Sequence, residues 1–399
     1  MSNRTRLFTP IFTLVWIAGL LQEQAWSLMI HFPGHLTDLG ASETRIGLLY
    51  SLSAVFGLLL RPTLGRLMDS FGRRPVLLVA GFGNAAAVAA LGAPSDLGLV
   101  LVTVFVAHRV FQIGLFTAML TLSADVLPPE RRTQGLAIYG LGGLIPLATG
   151  GAIGDLLLEA SGFGTLFLVV AALSVASWLL IWRVPRHPMT AAGGPRRGFW
   201  AALRQRNLMP VWWLTMLFAV GLEALFTFIR TFVDERQIGS VGGFFLVYGS
   251  AAISVRILSS GRFDRVPQRP LISAAVLAYA AGFVVLAAAQ TAGAVTASAG
   301  LLGVGHGLLF PVLASQVVMR ARDTERGSAM AIFTSLFDLA VLTAAPAVGI
   351  TIDWQGYTAA FTGVGVFIGV GLVVYLLWDR TVAPKGTMGK FAASTQFAE

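Results

Sequence analysis

Long runs of apolar residues, each about as long as a membrane-spanning helix, follow one another along the chain. Short polar stretches separate them, and a longer polar stretch near the middle divides them into two groups of six. Because a helix needs about 20 apolar residues to cross the hydrocarbon of a bilayer, each run predicts one transmembrane helix. The twelve predicted spans are residues 8–32, 46–64, 75–93, 97–122, 135–159, 162–183, 208–233, 240–259, 271–290, 294–319, 328–350 and 357–378.

The composition also indicates an all-α membrane protein. Apolar residues make up 56% of the chain, charged residues make up 12%, and the mean hydropathy is +0.76, whereas soluble domains carry about 25% charged residues. The chain has no cysteine, which excludes disulfides and thiolate metal sites. It has no G-x-x-x-x-G-K-[ST] loop for nucleotide phosphates. We therefore expect no cofactor and no enzyme activity.

Basic residues fall mainly on one side of the predicted spans. Cytoplasmic loops of membrane proteins carry an excess of arginine and lysine, so this side, both termini and the central loop are predicted to be cytoplasmic. The net charge of +9 then indicates contact with anionic lipid headgroups rather than nucleic acid. This side carries Arg4, Arg6, Arg66, Arg73, Arg74, Arg131, Arg132, the arginines from Arg183 to Arg206, Arg262, Arg265, Arg269, Arg320, Arg322, Arg326, Arg380, Lys385 and Lys390, whereas Arg45, Arg230 and Arg236 lie towards the other side.

Four regions follow from this pattern. They are an N-terminal six-helix bundle over residues 1–184, a basic cytoplasmic linker over 185–207, a C-terminal six-helix bundle over 208–379 and a cytoplasmic tail over 380–399. Arg4 and Arg6 precede the first apolar run, as basic residues do in a signal peptide. No A-x-A cleavage site closes that run, so we expect an uncleaved first helix.

The polar stretch from Arg61 to Pro75 carries the motif Gly-Arg-Leu-Met-Asp-Ser-Phe-Gly-Arg-Arg. Because charges and irregular backbone are costly in hydrocarbon, we predict a short turn at the membrane face. Gly65 and Gly72 would supply positive φ angles there. Parts of the motif return in the second group of spans as Gly261-Arg262 and Arg269-Pro270. The two groups of six spans are therefore predicted to be copies of one another.

This motif resembles the signature loop of the major facilitator superfamily. The resemblance implies a monomeric secondary transporter in a bacterial inner membrane, with two parallel six-helix halves and a substrate site between them. It also implies that the loop closes the cytoplasmic side, where Asp69 would pair with a nearby arginine or face the start of the eleventh span. The implied gate residues are Gly65, Arg66, Asp69, Gly72, Arg73, Arg74 and Asp125.

Six ionisable residues lie near the middle of the predicted spans: Glu23, His108, Arg109, Glu223, His306 and Asp338. A charged group at the centre of a bilayer costs about 3 kcal/mol or more unless it faces the bundle interior or water, so each is a functional candidate. The resemblance places spans 1, 4, 7 and 10 around a central cavity. The expected proton-coupling residues are Glu23, Glu223, Asp338 and His306.

Structural roles stay open for the same residues. Glu23 could form an ion pair with Arg109. His306 could be a neutral side chain bonded to a carbonyl, and Asp338 could make a hydrogen bond between helices.

The predicted substrate cavity is acidic and aromatic, which favours small amphipathic compounds that are cationic or zwitterionic. Arg109, Gln112 and Gly114 resemble the R-x-x-Q-G element of proton-coupled family members, although Ile113 lies between the last two. The expected cavity residues are Glu23, Trp26, Arg109, Phe111, Gln112, Glu223, Phe228 and His306.

The direction of transport is predicted from the fifth span. Pro146, Gly150 and Gly151 resemble the Gly-Pro-Gly-Gly element of drug–proton antiporters, with one more residue between the proline and the glycine pair. This resemblance favours export in exchange for protons. The alternative is a proton-linked importer of a small organic acid, in which Arg109 binds the substrate carboxylate. A non-transporting receptor or an embedded enzyme is the third possibility.

Overall fold

The computed structural model describes residues 7–128, 131–185, 199–259, 267–322 and 325–382, without the side chains of Pro62, Asp69, Arg132, Thr133, Ala137 and Leu141. All regular elements within these ranges are helical. Most of the predicted basic linker and C-terminal tail lies outside the described residues, as do Gly261-Arg262 of the repeated motif and the side chain of Asp69.

The chain order of the helices follows the predicted spans, with two short helices added. The helices are α1 (Pro10–Leu28), α2 (Phe32–Asp38), α3 (Glu43–Phe71), α4 (Arg73–Ala90), α5 (Leu99–Asp125), α6 (Arg132–Arg183), α7 (Phe199–Leu203), α8 (Met209–Arg236), α9 (Val241–Ser259), α10 (Gln268–Ala287), α11 (Ala292–Arg320) and α12 (Arg326–Val382).

Eight helices among the described residues are long and apolar enough to cross a membrane. Two of them, α6 and α12, contain 52 and 57 residues, so each is long enough for two spans of about 20 residues. Each is broken by a glycine with positive φ, Gly162 at 77° and Gly356 at 79°. An all-helical membrane fold is confirmed, and the count of twelve spans stays a prediction.

The predicted turn from Arg61 to Pro75 is wrong in extent. Helix α3 continues to Phe71, and Gly72, with φ 87°, ends it directly before α4. Gly65 is helical and does not take a positive φ angle, whereas Gly72 does, as expected. The prediction took the polar side chains as evidence of a turn, but polar side chains at a membrane face do not require irregular backbone. A helix satisfies its own backbone hydrogen bonds at any depth.

Helices α1–α6, here called the first half, and α8–α12, called the second half, meet along two pairs of helices. Helix α3 packs against α12, and α6 packs against α9. Helix α8 contacts α2, α3 and α9 as well as α11 and α12. Because other helices surround much of α8, polar groups in its middle such as Glu223 and Thr227 are buried in protein.

One end of the bundle, here called the arginine-rich end, is where α3, α5 and α11 finish. Arg73 Nε lies 3.1 Å from Asp125 Oδ2, and Arg74 donates to the carbonyl oxygen of Trp182 at 2.6 Å. In the second half, Asp379 is buried and binds two arginines, Arg269 at 3.0 Å and Arg320 at 2.6 Å. These bonds fasten helix ends within each half.

Candidate translocation site

Three consecutive polar residues of α1 occupy three different environments. Gln22 is buried and donates from Nε2 to Gln112 Oε1 of α5 at 3.0 Å. Gln24 Oε1 accepts from the hydroxyl of Thr149 on α6 at 2.9 Å. Glu23 lies between them and is partly buried. Among the described residues it has no hydrogen-bond or ion-pair partner, so its carboxylate is available to a proton or a substrate.

Arg109 of α5 makes a cation–π contact within the first half. Its guanidinium carbon lies 5.5 Å from the ring centroid of Tyr50 on α3, which is a cation–π distance. The buried Nε atom of Arg109 has no hydrogen-bond partner within the described part of the chain. The expected structural alternative, an ion pair between Glu23 and Arg109, is not formed in this structure.

Glu223 is the acidic counterpart in the second half. It is buried in α8 and accepts a hydrogen bond from the Thr227 hydroxyl, one helical turn further on, at 2.7 Å. A single local hydroxyl satisfies only part of the hydrogen-bonding capacity of a carboxylate. Among the described residues, part of the hydrogen-bonding capacity of the Glu223 carboxylate is therefore left unused.

The two histidines near the middle of the predicted spans, His108 and His306, are both buried and hydrogen-bonded to side chains. His108 Nδ1 lies 2.8 Å from Asn84 Oδ1, and Asn84 donates to Ser174 Oγ at 3.1 Å, which joins α4, α5 and α6 within the first half. His306 Nδ1 lies 2.6 Å from the Tyr248 hydroxyl. The structural alternative for His306 was a hydrogen bond to a carbonyl, but its partner is the phenol of Tyr248. The coupling role of His306 stays a prediction.

Asp338 forms an ion pair that crosses the boundary between the halves. Its carboxylate Oδ2 binds Nε of Arg61 on α3. Arg61 also donates to the Thr334 hydroxyl at 3.4 Å. The sequence reasoning missed Arg61, because it assigned this residue to a turn. The signal was available, since Arg61 lies within the predicted span 46–64 and is an ionisable residue there.

The aromatic residues of the predicted cavity are placed differently from one another. Trp26 of α1 makes an edge-to-face contact with Phe226 of α8, with centroids 5.8 Å apart, and so joins the halves. Phe111 packs against α4, where a Cβ atom added at Gly83 would lie 2.4 Å from its ring. Phe228 is fully buried in the core. Trp26 is thus the one of the three that lies at the boundary between halves.

The residues of the predicted cytoplasmic gate lie at the arginine-rich end. Arg73 binds Asp125, as described above. Arg66 is exposed, and Gly65 and Gly72 contribute backbone only. The Asp69 side chain is outside the described residues, so its predicted pairing is not tested.

Taken together, apolar helices in two halves with buried charges where the halves meet define a polytopic membrane transporter. A family model of the Major Facilitator Superfamily matches residues 14–268 and 257–399. The chain belongs to this superfamily. It is therefore a membrane transporter of small molecules and not an enzyme.

Known proteins of the same fold include curated bacterial transporters. An uncharacterized MFS-type transporter of Salmonella typhimurium is 27% identical over 339 residues, which cover 82% of this chain and 84% of that protein. The staphylopine export protein of Staphylococcus aureus is 23% identical over 383 residues, 91% of this chain and 94% of that protein. A crystal structure of a POT family transporter in complex with a thioalcohol-conjugated peptide matches with TM-score 0.79 and 13% identity, over 93% and 96% of the two chains.

Proposed function

We propose that the protein is a proton-coupled antiporter that exports small amphipathic compounds, cationic or zwitterionic, by alternating access. The observation that carries this proposal is the pair of carboxylates at Glu23 and Glu223, one in each half. Glu23 has no hydrogen-bond or ion-pair partner among the described residues. Within them, Glu223 accepts a hydrogen bond from the Thr227 hydroxyl and forms no ion pair with an arginine or lysine. A carboxylate without a fixed counter-ion can bind a proton or a cationic group in turn, which is the exchange that antiport needs. The export function of the S. aureus relative supports the direction.

The coupling cycle assigns a role to each group. Protonation of the carboxylate from the acidic side neutralises it and releases a bound cation. Deprotonation on the other side restores the charge, and the next cation binds. Arg109 would contact the anionic group of a zwitterionic substrate, and Trp26 its apolar part. Asp338 and His306 are the other candidates for the coupling proton.

Flux in proteoliposomes under an imposed pH gradient tests the direction of coupling. Liposomes are loaded with tetraphenylphosphonium as a cationic amphiphile, and the outside is made acidic. An antiporter gives faster efflux than at equal pH, in either orientation of the protein. Efflux that does not respond to the gradient with this cation, or with a zwitterionic amphiphile, contradicts the proposal.

The second candidate is a proton-linked importer of a small organic acid. The observation that favours it is the buried Nε of Arg109, which has no partner among the described residues and could bind a carboxylate. In this case the same acidic outside would drive uptake of an anion such as benzoate. The two candidates therefore give opposite flux responses to one gradient.

We also propose that the arginine-rich end faces the cytoplasm of a bacterial inner membrane, that both termini lie there, and that the protein acts as a monomer. Arg73 and Asp125, which bind each other within the first half, lie at this end, and its many arginines support the cytoplasmic placement. In this arrangement Gly65, Arg66, Asp69, Gly72 and Arg74 belong to the cytoplasmic gate.

Cysteine labelling is expected to confirm this topology. The chain has no native cysteine, so single cysteines at Gly193 and Thr387 report only their own position. Both should be protected from an impermeant maleimide in intact cells. Ala93→Cys, at an exposed position between α4 and α5 on the other side, is the positive control and should react. Labelling of Gly193→Cys or Thr387→Cys in intact cells would reverse the assignment.

A further inference from the structure

At the end of the bundle opposite the arginine-rich end, the second half caps a helix of the first half. Asp353 of α12 accepts from the backbone N–H groups of Glu43 and Thr44, at 3.1 and 2.9 Å. These two residues form the first turn of α3, whose N–H groups have no partners within the helix. A carboxylate at this position makes hydrogen bonds and also interacts favourably with the positive end of the helix dipole.

The first half caps a helix of the second half in the same way. Asp155 of α6 accepts from the backbone N–H of Gly242 at 2.6 Å. Gly242 lies in the first turn of α9. Asp155 is also within 3.7 Å of Arg230 and 3.8 Å of His31. Each half therefore contributes an aspartate that caps a helix of the other half.

The two caps are equivalent positions of the duplicated chain. Asp155 and Asp353 are separated in the sequence by the same number of residues as Thr44 and Gly242, the residues whose N–H groups they cap. The same offset relates two serines that cap the same helices. Arg45 N–H donates to Ser42 Oγ at 3.4 Å, and Gly243 N–H donates to Ser240 Oγ at 2.9 Å.

A glycine one turn before each aspartate permits the contact. A Cβ atom added at Gly349 would lie 2.3 Å from the carbonyl oxygen of Glu43, and one added at Gly151 would lie 2.9 Å from that of Val241. These glycines and their carbonyl partners are again related by the same offset. Each half therefore contains a Gly-x-x-x-Asp segment that docks on the start of the opposite half's second long helix.

We propose that Asp155 and Asp353 are two equivalent latches that close the transporter at the end opposite the arginine-rich end. Alternating access requires contacts between the halves at one end to break when that end opens. Each latch has one to two hydrogen bonds and a charge–dipole interaction, and Asp155 adds an ion pair with Arg230 of the other half. These few contacts stabilise the closed end without fixing it permanently. The inference rests on membership in the transporter superfamily and not on the coupling ion or the direction of transport.

Removal of each aspartate should shift the population toward the form open at this end. Loss of a helix cap changes an equilibrium by about fivefold. Two independent latches would combine to about 25-fold in the double variant. Spin labels on Ala93→Cys and Gln290→Cys report the opening, because both positions are exposed and lie at this end, one in each half.

The experiment is a distance measurement by double electron–electron resonance in proteoliposomes of the labelled full-length chain. Asp155→Ala and Asp353→Ala should each increase the long-distance population, and the double variant should increase it further. Glu159→Ala is the matched control, since Glu159 lies on the same helix as Asp155, one turn further on, and is exposed. This control should leave the distribution unchanged.

If an alanine variant does not purify as a monodisperse protein, Asp155→Asn and Asp353→Asn take its place in the same distance measurement. Asn keeps one acceptor oxygen and the size of the side chain but loses the charge, so a smaller shift in the same direction is expected. Unchanged distances in the double variant would overturn the proposal. A shift from only one of the two positions would overturn the equivalence of the latches.

Discussion

Arg61→Gln and Asp338→Asn are each expected to lower the thermal unfolding midpoint strongly, and the double variant is expected to recover most of the loss. The two side chains are only 20% and 13% exposed. Removing one member of a fully buried ion pair leaves the other charge without compensation and costs about 3–5 kcal/mol, and for this partly buried pair we expect a loss near the lower end of that range. Replacing both members leaves two neutral polar groups that can bond to each other, so the penalty largely disappears. Tryptophan fluorescence during heating in detergent measures the midpoint.

The matched control for this cycle is Arg45→Gln. Arg45 is on the same helix, α3, and is exposed. Loss of its charge should change the free energy of unfolding by no more than about 0.5 kcal/mol, so the midpoint should stay close to that of the parent protein. If the losses of stability in the two single variants simply added in the double variant, this result would contradict the ion pair. Transport by the double variant then separates stability from function, because a purely structural pair would leave flux intact.

Glu23→Gln or Glu223→Gln is expected to abolish pH-driven flux while substrate binding is retained. Glutamine has the shape of the protonated carboxyl group but cannot release a proton, so the residue that carries the coupling proton cannot be replaced by it. In the parent protein the affinity for a cationic substrate should rise with pH, because the deprotonated carboxylate attracts the cation. The Gln variant at the coupling position should show affinity that does not change with pH.

Two readouts are needed for this prediction: counterflow of labelled substrate, which needs no proton movement, and uphill flux under a pH gradient. Glu159→Gln is the control, since Glu159 is an exposed glutamate of α6 and should affect neither. Arg109→Ala should move the pH midpoint of binding, because a cation that faces the same cavity favours the charged form of the carboxylate. If both Gln variants still drive uphill transport with the parent pH dependence, the coupling proton belongs to Asp338 or His306.

The sequence alone determined the class of fold and the order of its helices. The reason is physical: a bilayer accepts only segments that are apolar for about 20 residues and that satisfy their own backbone hydrogen bonds. The spans could therefore be read from composition along the chain. The same constraint made Glu23, Arg109 and Glu223 conspicuous, because a charged residue inside such a segment has a high cost.

Only the tertiary structure decided which of these residues meet. Nothing in the sequence relates Arg61 to Asp338, or Asp155 to the backbone of Gly242, because these contacts cross between halves that are far apart in the chain. The backbone N–H groups capped by Asp155 and Asp353 have no residue signature at all. The turn predicted at Arg61 failed for a related reason, since charge indicates the depth of a residue relative to the membrane but not whether its backbone is helical. Contacts between distant segments follow from how the two halves pack, and that arrangement is fixed by the whole fold rather than by local sequence.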